Sequence, residues 1–193
     1  MDLARHQRVL LGLVRSTYQV GAADEEYFHR VSASRDLEEA RGNVLLWRVY
    51  VLERTCVLTV ALLREQQRLL PTLREFIRQQ NISPFREFQP RAFLAFVAGD
   101  ADRLTASVAQ FELALNKVRE GDPERYIVPW HVAPGAVLKA LAEGTPLSFP
   151  LTPGSYRTIV DRKLPGCFEI ERIETCDDRR GHGPMRLLGE RAG

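Results

Sequence analysis

The side chains best equipped for chemistry are four histidines, His6, His29, His131 and His182, and three cysteines, Cys56, Cys167 and Cys176. None falls into His-x-His, Cys-x-x-Cys or His-Glu-x-x-His spacing, so no contiguous segment supplies a metal-ligand set. His6 reads as a solvated helix residue, and His29, beside Tyr27 and Phe28, as a packing residue. His131, in the segment YIVPWHV, is the strongest functional candidate of the four, set against a structural role at a junction beside Trp130. Cys56 lies among Val57, Leu58 and Val60, where small buried thiols are common. Cys167 and Cys176 read as reduced thiols, and no base or helix N-terminus marks any of the three as a nucleophile.

Other chemistry is equally sparse. No Gly-x-Gly-x-x-Gly or P-loop pattern offers a phosphate cradle. The carboxylate pairs Glu25-Glu26 and Glu38-Glu39 stand at helix beginnings, where the macrodipole favours negative charge without any acid–base role. Arg64, Arg68, Arg74 and Arg78 make a basic helix edge that could meet phosphate or an acidic partner, although the interspersed Glu65 and Glu75 give it the pattern of a solvated face. No residue is assigned a catalytic or metal-binding role, and catalysis by this chain alone is not expected.

The elements that must carry these residues divide at Gly121-Asp122-Pro123. Three of the eleven prolines precede residue 122 and eight follow it. Before it, apolar residues recur at spacings of three and four. An opening helix with Leu3, Leu10, Leu13 and Val14 inward ends near Gly21, and a second starts near Asp24 with Tyr27, Phe28 and Val31 inward. A long segment from Leu37 to Leu69 has Val44, Leu45, Trp47, Val51, Leu52, Cys56, Leu58 and Leu62 on its apolar side, which places Trp47 in the core. PTLREFIRQQ and REFQPRAFLAFVAG give two further helices, and Asp100 is expected to cap DRLTASVAQFELALNKV. This predicts a bundle of about six helices.

After the breaker the period changes. VAPGAVLKALAEG predicts one helix, begun by Pro134 and ended by Gly144. LSFPL, YRTIV and CFEIERI predict three short antiparallel strands separated by Pro-Gly turns. The fold class is therefore α+β, an N-terminal all-helical bundle over residues 1–121 followed by a small antiparallel sheet module with one helix over 122–176. Residues 177–193 lack a sustained period and are expected to form a frayed tail.

At 193 residues, 45% hydrophobic and 27% charged, the chain has ordinary globular composition. A net charge of only +2 argues against a protein that grips nucleic acid through phosphates. The odd number of cysteines fits a reducing compartment. No run approaches the ~18 apolar residues that span a bilayer, and MDLARHQRVLLGLVRS, broken by Gly12 and Arg15, reads as an amphipathic helix and not an export signal. A cytoplasmic protein without membrane association is expected. A sheet edge can take up an extended peptide. YRTIVDRK offers such an edge, with Tyr156, Arg157, Thr158, Ile159, Val160 and Arg162 as candidate peptide-binding residues, set against an ordinary sheet edge protected by its charges, and Tyr126, Trp130 and His131 are candidates for a partner interface.

The order of segments is familiar. ARGNVLLWRVYVLERTCVLTVALL, LREFIRQQNISPFREFQPRAFLAFVAG and VAQFELAL precede VPWHVAPGAVLKALAEG, SYRTIV and CFEIERI. Over roughly residues 40 to 175 this resembles the two-domain partner proteins of multinuclear non-haem iron oxidases in peptide natural-product pathways, and most closely the MbnC-like accessory proteins of methanobactin biosynthesis. The segment Phe111 to Leu115 and the stretch from Trp130 to Leu141 carry the likeness best, whereas Gly42-Asn43-Val44 keeps only part of the Asn-rich helix start of larger relatives. The resemblance implies an accessory subunit that binds no cofactor itself. Its partner would be a TIM-barrel, MbnB-like iron oxidase that holds the iron, and its ligand the leader of a ribosomally made, MbnA-like precursor peptide whose cysteines become oxazolone–thioamide groups. Two alternatives stand beside it: a related iron oxidase acting on another ribosomal peptide, or a DNA-binding regulator using the helical half. The near-neutral charge of that half opposes the second.

Overall fold

The structure, a computed structural model, describes residues 2–80, 82 and 88–173. Helix α1 (Leu3–Val14) begins at Asp2, whose carboxylate accepts the Ala4 N–H at 3.0 Å, and buries Val9 and Leu13. It stops well short of Gly21 because Ser16 adopts a φ of 58°. Helix α2 (Glu26–Ser32) inserts Phe28, and α3 (Arg35–Thr55), capped by Ser34, adds Leu37 to the same small core.

The long helix expected from Leu37 to Leu69 is instead broken. Cys56, at φ −127° and ψ 52°, separates α3 from α4 (Val57–Glu65), and Gln67, at φ 57°, separates α4 from α5 (Leu69–Gln79). Apolar periodicity survives such breaks because each piece still turns one face to the core. Helices α6 (Gln89–Val97) and α7 (Arg103–Arg119) follow, so the described residues before Gly121 form seven helices. Asp102, and not Asp100, caps α7: it accepts the Thr105 N–H at 3.1 Å, while Asp100 accepts the Asp102 N–H and pairs with Arg68 at 2.6 Å.

The second half has the predicted class with a different first strand. LSFPL is not a strand. Strand β1 (Tyr126–Val132) is the YIVPWHV segment, followed by α8 (Pro134–Glu143), β2 (Pro153–Val160) and β3 (Phe168–Arg172). Helix α8 buries Val137, Leu138 and Leu141 and ends at Gly144, whose φ of 67° is the left-handed stop that glycine accepts without a Cβ penalty. The strands form one antiparallel sheet in the order β1-β2-β3. Tyr126 lies opposite Val160, Val128 opposite Thr158 and Trp130 opposite Tyr156, and on the other side Thr158 faces Ile170 and Val160 faces Phe168.

Helix α7 joins the two halves. Its Leu104, Val108, Phe111, Leu115 and Val118 share a core with Val128, Trp130, Val132 and Val160 of the sheet and with Val137, Leu138 and Leu141 of α8. Its Ala109 belongs to a second core, built by Leu52, Val60, Leu63, Leu73, Phe76, Phe93 and Leu94 of the helical half. The Phe111 ring meets Phe168 edge-on at 5.1 Å and Trp130 at 6.3 Å. The tail 177–193, together with Cys176 and His182, lies outside the described residues.

Candidate functional site

The sheet is built from alternation. Residues of even number along all three strands turn to α7 and α8: Val128 and Trp130, Thr158 and Val160, then Phe168 and Ile170. The Trp130 indole N–H donates to the Thr158 hydroxyl at 3.1 Å, which satisfies both groups inside the core. At the far end the β1–β2 register shifts between Trp130 and Val132, and Gly154 allows the close turn there, since a Cβ would come within 2.7 Å of the Tyr156 ring.

This order corrects the expected peptide edge. Strand β2 is central, paired on both sides, so the main chain of Tyr156, Arg157, Thr158, Ile159 and Val160 is already spent on β1 and β3. Thr158, Ile159 and Val160 are also buried, and Arg157 is held by Glu171 at 2.5 Å. Arg162 stands exposed in the turn after β2. The alternation of YRTIV marks a strand, but alternation carries no information on which strands flank it.

The two edges belong to β1 and β3, and they differ. On β1, Pro129 brings no N–H and its carbonyl accepts from the Ser107 hydroxyl of α7 at 2.8 Å, so the middle of that edge is closed. On β3, the Ile173 N–H donates to Ser155 O at 2.8 Å and the Asp161 N–H to Cys167 O at 3.0 Å. Both bonds continue the β2–β3 register, so the odd-numbered residues of β3 face β2, and Phe168, Ile170 and Arg172 direct their main-chain groups outward. No described strand lies beyond them. Ile170, 41% exposed, stands beside α8, with its Cδ1 3.6 Å from where a Cβ on Gly135 would be. At Phe168 and Ile170 this edge sets outward main-chain groups beside an apolar step between Ile170 and Gly135.

The three residues expected at a partner interface differ in exposure. Trp130 is buried and Tyr126 is half-buried, its hydroxyl donating to Asp122 at 2.7 Å, which raises the phenol pKa. His131 is half-buried, with Nδ1 lacking a hydrogen-bond partner. Trp47, assigned to the core, is 57% exposed. It stacks on Tyr50 at 5.6 Å, and Arg54 lies 3.6 Å over the Tyr50 ring, giving one aromatic and cationic row along α3. That row leads to a cavity of about 520 Å³ lined by Arg54, Arg91, Leu113 and Lys117 among others. The spacing of Trp47, Tyr50 and Arg54 at i, i+3 and i+7 was the available signal for this face.

The remaining chemical candidates are dispersed over the fold. His6 is not solvated: its ring packs 4.9 Å from Phe28, and Nε2 lies 3.4 Å from Glu25. His29 is exposed and does not pack. Burial pushes the Cys56 thiol far upward, with the nearby Glu112 adding to the shift, which suppresses its thiolate. Glu112 itself is 5% exposed and accepts the Leu58 and Thr59 N–H groups at 2.9 and 2.8 Å, so it caps α4 from across the bundle. Arg48, buried mid-α3, donates to Gln89 Oε1 and Ile82 O, each at 3.1 Å, and ties α3 to α6. Among the described residues no three His, Cys, Asp or Glu side chains converge to hold a metal ion, and no helix is long and apolar enough to cross a membrane. Comparison of the chain with protein-family models, with curated proteins and with solved structures finds no match.

Proposed function

We propose that this chain is the accessory subunit of a heterodimeric iron-dependent oxidase that modifies a ribosomally made peptide, as its resemblance to the MbnC-like proteins implies. Its task is to hold the precursor's leader by strand addition, so that the cysteines to be converted to oxazolone–thioamide groups stay near the iron of a TIM-barrel partner. The observation that supports this most directly is the outer edge of β3, where Phe168 and Ile170 direct main-chain groups away from the sheet with no described strand beyond. The leader would pair there and seat an apolar side chain between Ile170 and Gly135. Tethering at this edge raises the effective concentration of the peptide at the iron site, which strengthens two weak contacts without any new one. The partner's iron supplies the redox chemistry, and this chain contributes binding and orientation, in a cytoplasmic complex.

The test is co-expression with an iron oxidase and a short cysteine-bearing peptide encoded beside this chain. A one-to-one heterodimer that modifies the peptide, with no modification when this chain is omitted, is the expected outcome. Ile170→Pro removes one outward N–H without touching the β2 ladder, and should abolish leader capture while the heterodimer persists. Full modification by the oxidase alone would end this proposal.

A further inference from the structure

Strand β3 carries two glutamates on the face turned away from α7 and α8, and they are placed differently. Glu171 lies opposite Arg157 of β2 and pairs with it at 2.5 Å, so its charge is met inside the sheet. Glu169 is exposed and lies opposite Ile159, which offers it no charge, and no cation pairs with it among the described residues. The cross-strand position left to it is on a strand added beyond β3. Phe168 and Ile170, on either side of Glu169, direct their main-chain groups outward. An added antiparallel strand would bond at those two residues and leave Glu169 in the non-hydrogen-bonded pair between them. Side chains stand closest in such a pair, with about 4.5 Å between Cα atoms.

The neighbours of Glu169 set the chemistry of the other face. The Phe168 ring meets Phe111 at 5.1 Å, and Ile170 stands beside Gly135 of α8. Guest side chains opposite these two would rest on apolar surface. The edge therefore sets an order of apolar, cationic, apolar for three successive residues of its guest. A second copy of this chain does not meet that order. Two-fold pairing centred on Ile170 would set Glu169 against Glu171 of the other copy, and pairing centred on Glu169 would set that carboxylate against itself. Both registers oppose like charges.

We propose, resting on leader capture at this edge, that the leader carries a lysine or arginine opposite Glu169, between two apolar residues. The same charge fixes the register. A slip of one residue would turn the guest's cation toward Phe168 and Ile170 and leave an apolar side chain opposite Glu169.

The test is fluorescence anisotropy of the full chain at low salt with three labelled peptides, Thr-Thr-Leu-Lys-Leu-Thr-Thr and its counterparts with Gln or Glu in place of Lys. The Lys peptide should bind tightest. The Glu peptide should bind at least about fivefold more weakly, because an attractive cross-strand pair is exchanged for a repulsive one. Raising the salt should narrow that gap. Glu169→Lys changes an exposed residue, and an unchanged thermal melt would show that the variant is folded. It should invert the order, so that the Glu peptide binds tightest. Equal binding of all three peptides, lost in Ile170→Pro, would overturn the cation preference and leave leader capture at the edge standing. Binding that Ile170→Pro leaves intact would overturn both. No binding of any peptide, or an order unchanged in folded Glu169→Lys, would overturn the cation preference.

Discussion

Glu112 and Asp102 both satisfy free N–H groups at the start of a helix, yet acid acts on them with opposite sign. Burial raises the Asp102 carboxyl, but hydrogen bonds from Thr105, Gln66 and the main chain outweigh it and hold the carboxyl below its ordinary 3.8. Its stabilisation is therefore complete above pH 3.8 and is lost as pH falls through the lower folded value. Asp102→Ala should cost about 1 kcal/mol at pH 7 and less at pH 3, which urea unfolding at the two pH values would show. For Glu112, burial wins over the Thr59 and Leu58 hydrogen bonds and lifts the carboxyl above 4.5. The native state then holds that proton more tightly than the unfolded chain does, so the Glu112 contribution weakens as pH rises from 4.5 through the folded value. Glu112→Ala leaves two buried donors without an acceptor and should cost about 1–3 kcal/mol, again by urea unfolding. The cysteines give a third check. Iodoacetamide followed by peptide mass mapping should find Cys167, half-exposed, alkylated in the native protein and Cys56 protected until denaturant is added.

Element boundaries were legible where a local cap or stop sets them, as at Pro134 and Gly144. They were not legible at Cys56, because the cap that allows α4 to start afresh is Glu112, remote in sequence. Strand β1 was missed for a related reason. Pro129 reads as a strand breaker, but it sits where its missing N–H would face α7 and not the ladder, so the sheet loses no bond. Trp47 shows the reverse error: it fits an apolar stripe by spacing, yet the core is already filled by Leu52, Val51 and Leu37 on other faces of α3. As an exposed Trp beside Tyr50 and Arg54 it has the composition of an interface anchor. If the proposed oxidase docks on this face, Trp47→Ala should weaken the heterodimer by about 2 kcal/mol, a loss of ~30-fold in calorimetric affinity, without lowering the melting temperature of the isolated chain.

Across the molecule, α7 presents one side to the helical half and another to the sheet, so neither half has its core without it. Residues 1–121 expressed alone should therefore expose Val108, Phe111, Leu115 and Val118, bind a hydrophobic dye and melt below the full chain. In the intact protein Phe111→Ala should cost about 3–5 kcal/mol by urea unfolding, because the ring fills the space between Trp130 and Phe168. Charge makes the same point: Arg8, Arg15, Arg41, Arg74 and Arg78 are far apart in sequence, and only packing gathers them around two adjoining hollows between α1, α3 and α5. From the residues alone came the α+β class, the helical first half, helix α8 with its glycine stop and the strand character of YRTIV and CFEIERI, since each rests on periodicity and turn chemistry within a few residues. The order β1-β2-β3, the edge position of β3, the exposure of Trp47 and the gathering of arginines were decided by tertiary structure. These depend on which distant segments meet, and a side-chain period states which face of an element is buried without stating against what.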